Sequence, residues 1–150
     1  MATEPQSVTP YLIVRNAARA LDFYTRAFGA TELFRLAEPS GRIGHSELRI
    51  GSSTLMLADE SPAFGAISPV SLGGTPVQLH LRVQDVDAFM SKAVAAGATE
   101  LRAAKDEFYG ERSGMLADPF GHQWHVSTRI EEVSPEEMQK RYTAVMTASG

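Results

Sequence analysis

A duplicated segment constrains this chain more than any other feature of its sequence. The letters GATEL stand at Gly29–Leu33 and recur without change at Gly97–Leu101. An apolar stripe at helical spacing precedes each copy, and similar extended stretches surround both. Because the flanking patterns repeat along with the letters, chance is a poor explanation. We therefore expect the chain to contain one structural module twice.

Each copy of the segment begins where a predicted helix ends. Asn16 and Asp85 stand at the N-cap positions, and Gly29 and Gly97 stand where a left-handed glycine would stop the helix. The apolar positions of the first helix are Ala17, Ala20, Leu21, Phe23, Tyr24 and Phe28, and those of the second are Val86, Phe89, Met90, Ala93 and Val94.

One extended run precedes each helix, and three follow it. The predicted strands are residues 11–14, 31–37, 42–50 and 54–58 in the first half, and 77–83, 99–104, 114–117 and 123–129 in the second. The predicted fold class is α+β, with two βαβββ modules whose mixed sheets curve into a cup. Within a single domain, 1–150, we place module one at about 8–59, a linker at 60–74, module two at about 76–130, and an extra C-terminal helix at about 134–147.

Two segments outside the modules carry apolar residues of their own. The linker is rich in Ser, Pro and Gly and contains Phe64, Ile67, Val70 and Leu72, so it is either a connection held by apolar contacts or a lid over a pocket. Ser134 and Glu137 form a capping box for the last helix. The apolar face of that helix packs on its own sheet or on a second subunit; it consists of Met138, Tyr142, Val145 and Met146.

Composition excludes several classes of protein. The net charge of -4 comes without any basic stripe, which argues against nucleic acid as a partner. No apolar run is long enough to cross a membrane, and residues 1–10 lack the pattern of a secretory signal. The chain contains no Cys, so disulfides and thiolate metal sites are excluded. We expect a cytoplasmic protein.

Three segments resemble a known family. Ala20–Tyr24 with the following Phe28-Gly29-Ala30 is similar to the first helix of the vicinal oxygen chelate superfamily, the glyoxalase, bleomycin-resistance and extradiol dioxygenase fold. Gly114–Trp124 and Glu131–Glu137 resemble its PhnB-like subgroup. The resemblance implies a glyoxalase/bleomycin-resistance-like fold, a small-molecule ligand and a homodimer, with the cup formed within one chain or between two.

The resemblance also implies where a metal would bind. The superfamily's metal enzymes take ligands from four strands, and the matching positions here are Thr9, Met56, Gln78 and His125. His125 is a strong ligand and Gln78 a weaker one, whereas Thr9 is weak and a thioether is wrong for a hard divalent ion. We expect no metal cofactor; if one is bound, His125 and Gln78 hold it.

Strand alternation yields a candidate pocket. Val77, Leu79, Leu81 and Val83 are predicted to face the helix, so Gln78, His80 and Arg82 face the other way. By the same alternation, Gln123, His125 and Ser127 share a face, as do His45, Glu47 and Arg49, and Thr9, Tyr11 and Ile13. The predicted pocket lining is Tyr11, Met56, Gln78, His80 and His125, with Glu47 and Arg49 at the rim. Trp124 is expected in the core.

Three functions compete. The first is binding of a small organic molecule without a catalytic metal, as bleomycin-resistance proteins do; the mixed apolar and polar lining favours it. The second is a divalent-metal-dependent lyase, isomerase, transferase or dioxygenase using His125, Gln78 and His80. The third is metal-free acid–base catalysis by His80 or His125 with Glu47. The sequence alone leaves the identity of the ligand open, and it does not decide whether the protein is an enzyme.

Overall fold

The computed structural model describes residues 4–149, so the first three residues of the N-terminal segment considered above lie outside it. By its internal contacts the chain divides into two units. One runs up to Thr75 and includes Pro119–Gly121; the other comprises Pro76–Asp118 and the residues from His122 onward. Each unit contains one four-stranded sheet.

The first unit has the predicted βαβββ order. Its elements are β1 (Tyr11–Val14), α1 (Ala17–Phe28), β2 (Thr31–Ala37), β3 (Ile43–Ile50) and β4 (Ser53–Asp59), followed by a 3-10 turn (Pro62–Phe64) and the short helix α2 (Pro69–Leu72). The strand order is β1-β4-β3-β2. β1 pairs with β4 in parallel and the other pairs are antiparallel, so the sheet is mixed as predicted.

The second unit repeats this order. Its elements are β5 (Gln78–Arg82), α3 (Val86–Ala96), β6 (Thr99–Asp106), β7 (Glu111–Ala117), β8 (Gln123–Arg129) and the C-terminal helix α4 (Pro135–Ser149). The strand order is β5-β8-β7-β6, with β5 parallel to β8. The order and pairing match those of the first sheet, which confirms the predicted duplication. Within residues 4–149, no helix is both long and apolar enough to span a membrane.

The predicted caps are present. The Asn16 side chain accepts a hydrogen bond from the Arg19 N–H at 3.1 Å, and Asp85 accepts one from the Ala88 N–H at 3.1 Å. Gly29 adopts the left-handed conformation at φ +69°. Gly97 has a positive φ of +125° with ψ near zero, which lies outside the left-handed helical region. The prediction of a left-handed stop was therefore right for α1 and wrong for α3.

Each unit buries an apolar core against its sheet. In the first, the face of the strands that carries Leu12, Leu48 and Leu57 is buried with Tyr24 of α1. In the second, Trp124 is buried as predicted, and its indole N–H donates to the Asp118 carboxylate at 2.9 Å. A buried indole needs such a partner, because an unsatisfied N–H would oppose folding.

Two predictions about the strands need correction. Val77 lies before β5 and is largely exposed, so it does not share the half-buried side of Leu79 and Leu81. β7 begins at Glu111, not at Gly114 as predicted, because antiparallel pairing with β8 continues to Arg129.

The segment 60–74 also differs from its predicted form. Its four large apolar residues are exposed, and the buried positions are Ser68 and Pro69. Polar contacts hold the segment instead: the Ser68 N–H donates to the Glu60 carboxylate at 2.8 Å. Hydrogen bonds from Ser68 and Ser71 lower the pKa of Glu60 to about 2. A carboxylate that accepts several hydrogen bonds stays ionised in mild acid, so this contact persists there.

Candidate functional site

The open face of the first sheet, defined here by Tyr11, Met56 and Glu47, carries one row of side chains. In the sheet register, Tyr11 lies opposite Met56, Met56 opposite Glu47, and Glu47 opposite Phe34. Residues on adjacent strands that share a register position project from the same face. The structure therefore brings together the three site residues predicted in the first module. Arg49, the predicted rim residue, is exposed.

A hydrogen-bonded relay crosses this face. The Tyr11 hydroxyl lies 2.7 Å from His45 Nδ1, and His45 Nε2 lies 3.1 Å from a Glu47 carboxylate oxygen. The His45 ring also contacts the rings of Tyr11 and Phe34, with centroids 5.4 and 5.7 Å apart. Both short distances are hydrogen bonds by ordinary geometric criteria. Alternation placed Glu47 and His45 on one face, but it did not predict that Tyr11 would join them.

The Tyr11 hydroxyl stays protonated at neutral pH. Partial burial, and secondly the negative charge of Glu47, raise the pKa of Tyr11 above its ordinary value of 10.0. Both effects disfavour a phenolate. The O–H of Tyr11 is therefore available as a hydrogen-bond donor to His45.

A cleft of about 700 Å³ adjoins Tyr11 within the first unit. On one side lie strand residues of the open face, including Ile13 and Ala58, and on the other lies the segment 61–66. Phe64, at the end of the 3-10 turn, lines the cleft and is 90% exposed. The remaining lining residues are Glu38, Arg42, Gly44, Asp59, Ser61, Gly65 and Ala66. The volume is in the range of cavities that hold small organic ligands.

The second sheet carries a comparable row of polar side chains. Gln78 lies opposite Gln123, and His80 lies opposite His125. The two imidazole rings are stacked, with centroids 4.9 Å apart and planes inclined by 26°. The structure therefore places the three predicted residues Gln78, His80 and His125 on one face of the second unit.

A charged network surrounds His80. Its Nε2 lies 2.7 Å from the Ser127 hydroxyl and 3.8 Å from a Glu111 carboxylate oxygen. Glu111 is 8% exposed and also pairs with Arg82. A buried carboxylate is stabilised by such a partner, since removal of the guanidinium would leave an uncompensated charge. Ser127 is fully buried, so its hydroxyl supports His80 and is not accessible as a nucleophile.

His125 has an unusual environment. Among residues 4–149, its Nε2 is a buried nitrogen without a hydrogen-bond partner. Burial, then the positive charges of His80 and Arg102, lower the pKa of His125 below its ordinary value of 6.5. The ring is therefore neutral at pH 7. Its buried nitrogen can bond to a ligand or to water that enters this face.

Sequence reasoning left three of these partners without a role. His45 was considered only as a residue that shares a face with Glu47, and Ser127 only as one that shares a face with His125. Glu111 was overlooked because the predicted strand began too late. The alternation Glu111, Ser113, Met115 would have been the signal, since those residues share a face with His125 in the sheet register.

Comparisons with known proteins identify the family. The model of the Glyoxalase/Bleomycin resistance protein/Dioxygenase superfamily matches residues 6–126. The chain therefore belongs to this superfamily. Uncharacterized protein Mb0911c of Mycobacterium bovis is 44% identical over 147 residues, which cover 96% of this chain and 94% of that protein.

Solved structures share the fold. TioX from Micromonospora sp. ML1 is 26% identical, with a TM-score of 0.64, over 86% of this chain and 100% of that one. The fosfomycin resistance protein FosX from Listeria monocytogenes, complexed with Mn(II) and a sulfate ion, shares the fold at a TM-score of 0.64 and 17% identity, over 93% of this chain and 99% of that one.

Among residues 4–149, the side chains do not form the ligand set of a catalytic divalent metal. Within residues 4–149, no three or more His, Asp or Glu side chains are grouped closely enough to hold an ion. Met56 offers only a soft thioether, and the Nε2 of His80 already bonds to Ser127. A catalytic metal normally has at least three protein ligands. The arrangement instead presents hydrogen-bonding groups beside an apolar surface.

Proposed function

We propose that this protein binds a small organic molecule in the cleft beside Tyr11, without a catalytic metal. The observation that carries the proposal is the cleft itself, which combines apolar residues with Tyr11, the residue at one end of the Tyr11–His45–Glu47 relay. Pockets for organic ligands are usually mostly apolar, with a few placed polar groups that set orientation.

Phe64 is the part of the cleft best suited to cover a ligand. Its ring is nearly fully exposed, although burial of a phenylalanine is favourable by about 1.5–3 kcal/mol. Phe64 belongs to a short turn whose main chain is held by the bridge between Ser61 and Ala66. A ligand in the cleft would bury part of this ring and gain the corresponding free energy. The sequence interpretation of segment 60–74 as a lid is consistent with this proposal.

The experiment starts with a thermal-shift screen of metabolites and drugs, followed by calorimetric titration of any compound that raises the melting temperature. Phe64→Ala is expected to weaken binding of that compound roughly tenfold, because an apolar contact is lost. Leu72→Ala is the matched control, since Leu72 is an exposed apolar residue of the same segment outside the cleft. Equal effects of the two changes would contradict the proposed cleft.

The metal-free part of the proposal has its own test. After dialysis against Zn, Ni, Mn and Fe salts and removal of free ions, elemental analysis should find well below one metal ion per chain. A stoichiometric metal held by His125 and Gln78 would instead favour the alternative, a divalent-metal-dependent lyase, isomerase, transferase or dioxygenase.

Other predictions remain proposals. Gln78, His80 and His125 are proposed to contact ligand on the second sheet, with the buried His125 nitrogen as the supporting observation. Acid–base catalysis by His80 or His125 stays a prediction, as do membership of the PhnB-like subgroup, the shared cup, the homodimer and the cytoplasmic location.

A further inference from the structure

We propose that the ligand of the first-unit cleft carries an N–H donor, in first place a protonated amine, that bonds to the hydroxyl oxygen of Tyr11. This inference rests on the proposed function and adds the chemical class of the ligand. It follows from the direction of two hydrogen bonds, from the charges around the cleft and from its aromatic walls.

The Glu47 carboxylate determines which groups donate and which accept in the relay. An ionised carboxylate can only accept hydrogen bonds, so the His45 nitrogen facing it, Nε2, must carry the hydrogen. In a neutral imidazole the other nitrogen, Nδ1, is then a bare acceptor. Tyr11 lies 2.7 Å from Nδ1 and donates its O–H to it while His45 is neutral.

This direction determines what Tyr11 offers to a ligand. A phenol has one hydrogen to donate, and His45 accepts it, so only the lone pairs of the Tyr11 oxygen remain. A ligand carbonyl or carboxylate placed there would find no donor. A ligand N–H would find an acceptor that donates in turn toward an imidazole and a carboxylate, and hydrogen bonds in such a chain strengthen one another.

Charge around the cleft favours a cation in this position. Three carboxylates lie at or near it: Glu38 and Asp59 in the lining, and Glu47 at the end of the relay. Arg42 is the basic residue of the lining, and its guanidinium already bonds to the Glu60 carbonyl oxygen. The carboxylates outnumber the guanidinium, and an excess of negative charge attracts positively charged ligands.

Asp59 and Glu38 contribute differently to that potential. The two oxygens of Asp59 accept the backbone N–H groups of Ala17 and Ile43, at 2.9 and 2.8 Å. Asp59 therefore adds charge but has a structural task at the start of α1. Within residues 4–149 the Glu38 carboxylate has no ion-pair partner, so it is available to a second polar group of the ligand.

The aromatic walls suit the same ligand. The rings of Tyr11 and Phe64 line the cleft, and a cation over an aromatic face gains about 0.5–2 kcal/mol, depending on how far it is desolvated. Ile13, Ala58 and Ala66 provide an apolar surface for the rest of the molecule. The expected ligand is thus an organic amine with an aromatic or aliphatic body.

Three probes of similar size test the proposal by calorimetric or NMR titration of the whole protein. They are phenethylamine, its N-trimethylated cation and 3-phenylpropionate. The primary amine is expected to bind roughly tenfold more tightly than either of the others, because a hydrogen bond from a charged donor is lost in both. The trimethylated probe keeps the positive charge but has no N–H.

Tyr11→Phe separates the hydrogen bond from the other contributions. It should abolish the preference of the primary amine over its trimethylated analogue while preserving the preference for cations over the carboxylate. Tyr142→Phe, on the exposed face of α4, is the matched control and should leave all three affinities unchanged. Glu47→Gln should partly reduce the preference for the primary amine over its trimethylated analogue. The Gln amide can donate as well as accept, so it does not restrict His45 to one tautomer.

The outcomes distinguish this inference from the proposed function. Equal binding of the three probes, or an unchanged preference in Tyr11→Phe, overturns the inference. If binding is nevertheless lost in Phe64→Ala, the cleft itself stands. Failure of all three probes to bind at about 10 mM also overturns the inference. The compound screen then judges the proposed function separately.

Discussion

His125 shows how burial and a neighbouring charge act on one side chain. Its imidazole stacks on His80, and its Nε2 is removed from solvent without a hydrogen-bond partner among residues 4–149. Both conditions oppose protonation, because a buried imidazolium loses hydration and meets a second ring that can also become positive. The folded protein therefore binds a proton at His125 less readily than the unfolded chain does.

This difference predicts a pH dependence of stability. In the unfolded chain His125 titrates near 6.5, and in the folded protein its pKa is lower. Below pH 6.5 the unfolded chain binds more protons, so the free energy of unfolding falls as the pH drops through this window toward the folded pKa. The His125→Gln variant should lose less stability than the unmodified protein when the pH falls from about 7.5 to about 5.5. Urea titrations at the two pH values measure this difference. A midpoint at or above 6.5 for His125 in an NMR titration would contradict the prediction.

Single residues also show where sequence reasoning reaches its limit. Alternation correctly placed His45 and Glu47 on one face of β3, because side-chain direction in a strand depends only on position along it. It could not predict that Tyr11 would bond to His45, since the two residues meet through pairing of β1 with β4 and of β4 with β3. The strand register decides which residues lie opposite each other, and the register cannot be predicted from the spacing of residues within one strand.

At the scale of elements, the turn before β7 depends on one glycine. Gly110 has φ +86°, and a Cβ built on it would lie 2.3 Å from the Glu131 carbonyl oxygen and 2.8 Å from Val133 Cγ2. Its carbonyl accepts the N–H groups of Ile130 and Glu131, which joins the turn to the segment leading into α4. The close approach is possible only without a side chain.

Gly110→Ala is therefore expected to destabilise the protein by more than about 3 kcal/mol, because it combines a left-handed backbone with a clash against main-chain atoms. Gly29→Ala is the matched control. Gly29 also has a positive φ, but a Cβ added there would meet no atom within 4 Å, so about 1–2 kcal/mol is expected. Chemical denaturation measures the free energy of unfolding of both variants. Equal losses of stability would show that the contact with Glu131 is unimportant.

The elements themselves were largely predictable. Both N-caps, the βαβββ order of elements along the chain and the terminal helix follow from local signals, such as Asn16, Asp85 and Ser134 before apolar stripes. The errors lie at boundaries, as at Glu111, and in segment 60–74, where hydrogen bonds to Glu60 replace the expected apolar contacts. Boundaries depend on how far neighbouring strands pair, which is a tertiary property.

At the scale of the whole molecule, α4 carries an apolar face that its own unit leaves exposed. Met138 is half-buried, and the Phe108 and Tyr142 rings lie 5.7 Å apart. Tyr142, Val145 and Met146 are each at least two-fifths exposed. An exposed apolar stripe of this kind is typical of an interface, which supports the proposed homodimer.

The proposed homodimer can be tested by measuring the mass of the protein in solution. Light scattering should give twice the chain mass of 16.3 kDa for the unmodified protein. Val145→Glu is expected to shift the equilibrium toward the monomer, because it places a charge in the apolar face. Gln139→Glu adds the same charge to an exposed polar position of α4 and should leave the dimer intact. A monomeric unmodified protein would contradict this prediction directly.

The sequence by itself determined the duplicated βαβββ order, the N-caps of both module helices and the faces of most strands, because these depend on spacing along the chain. Only the tertiary structure decided that Tyr11, His45 and Glu47 form a relay, that Glu111 joins His80, and that segment 61–66 forms one wall of a cleft. The physical reason is that hydrogen bonds require distances of about 3 Å between residues far apart in sequence. Strand register and loop packing set those distances, and a periodic pattern does not encode them.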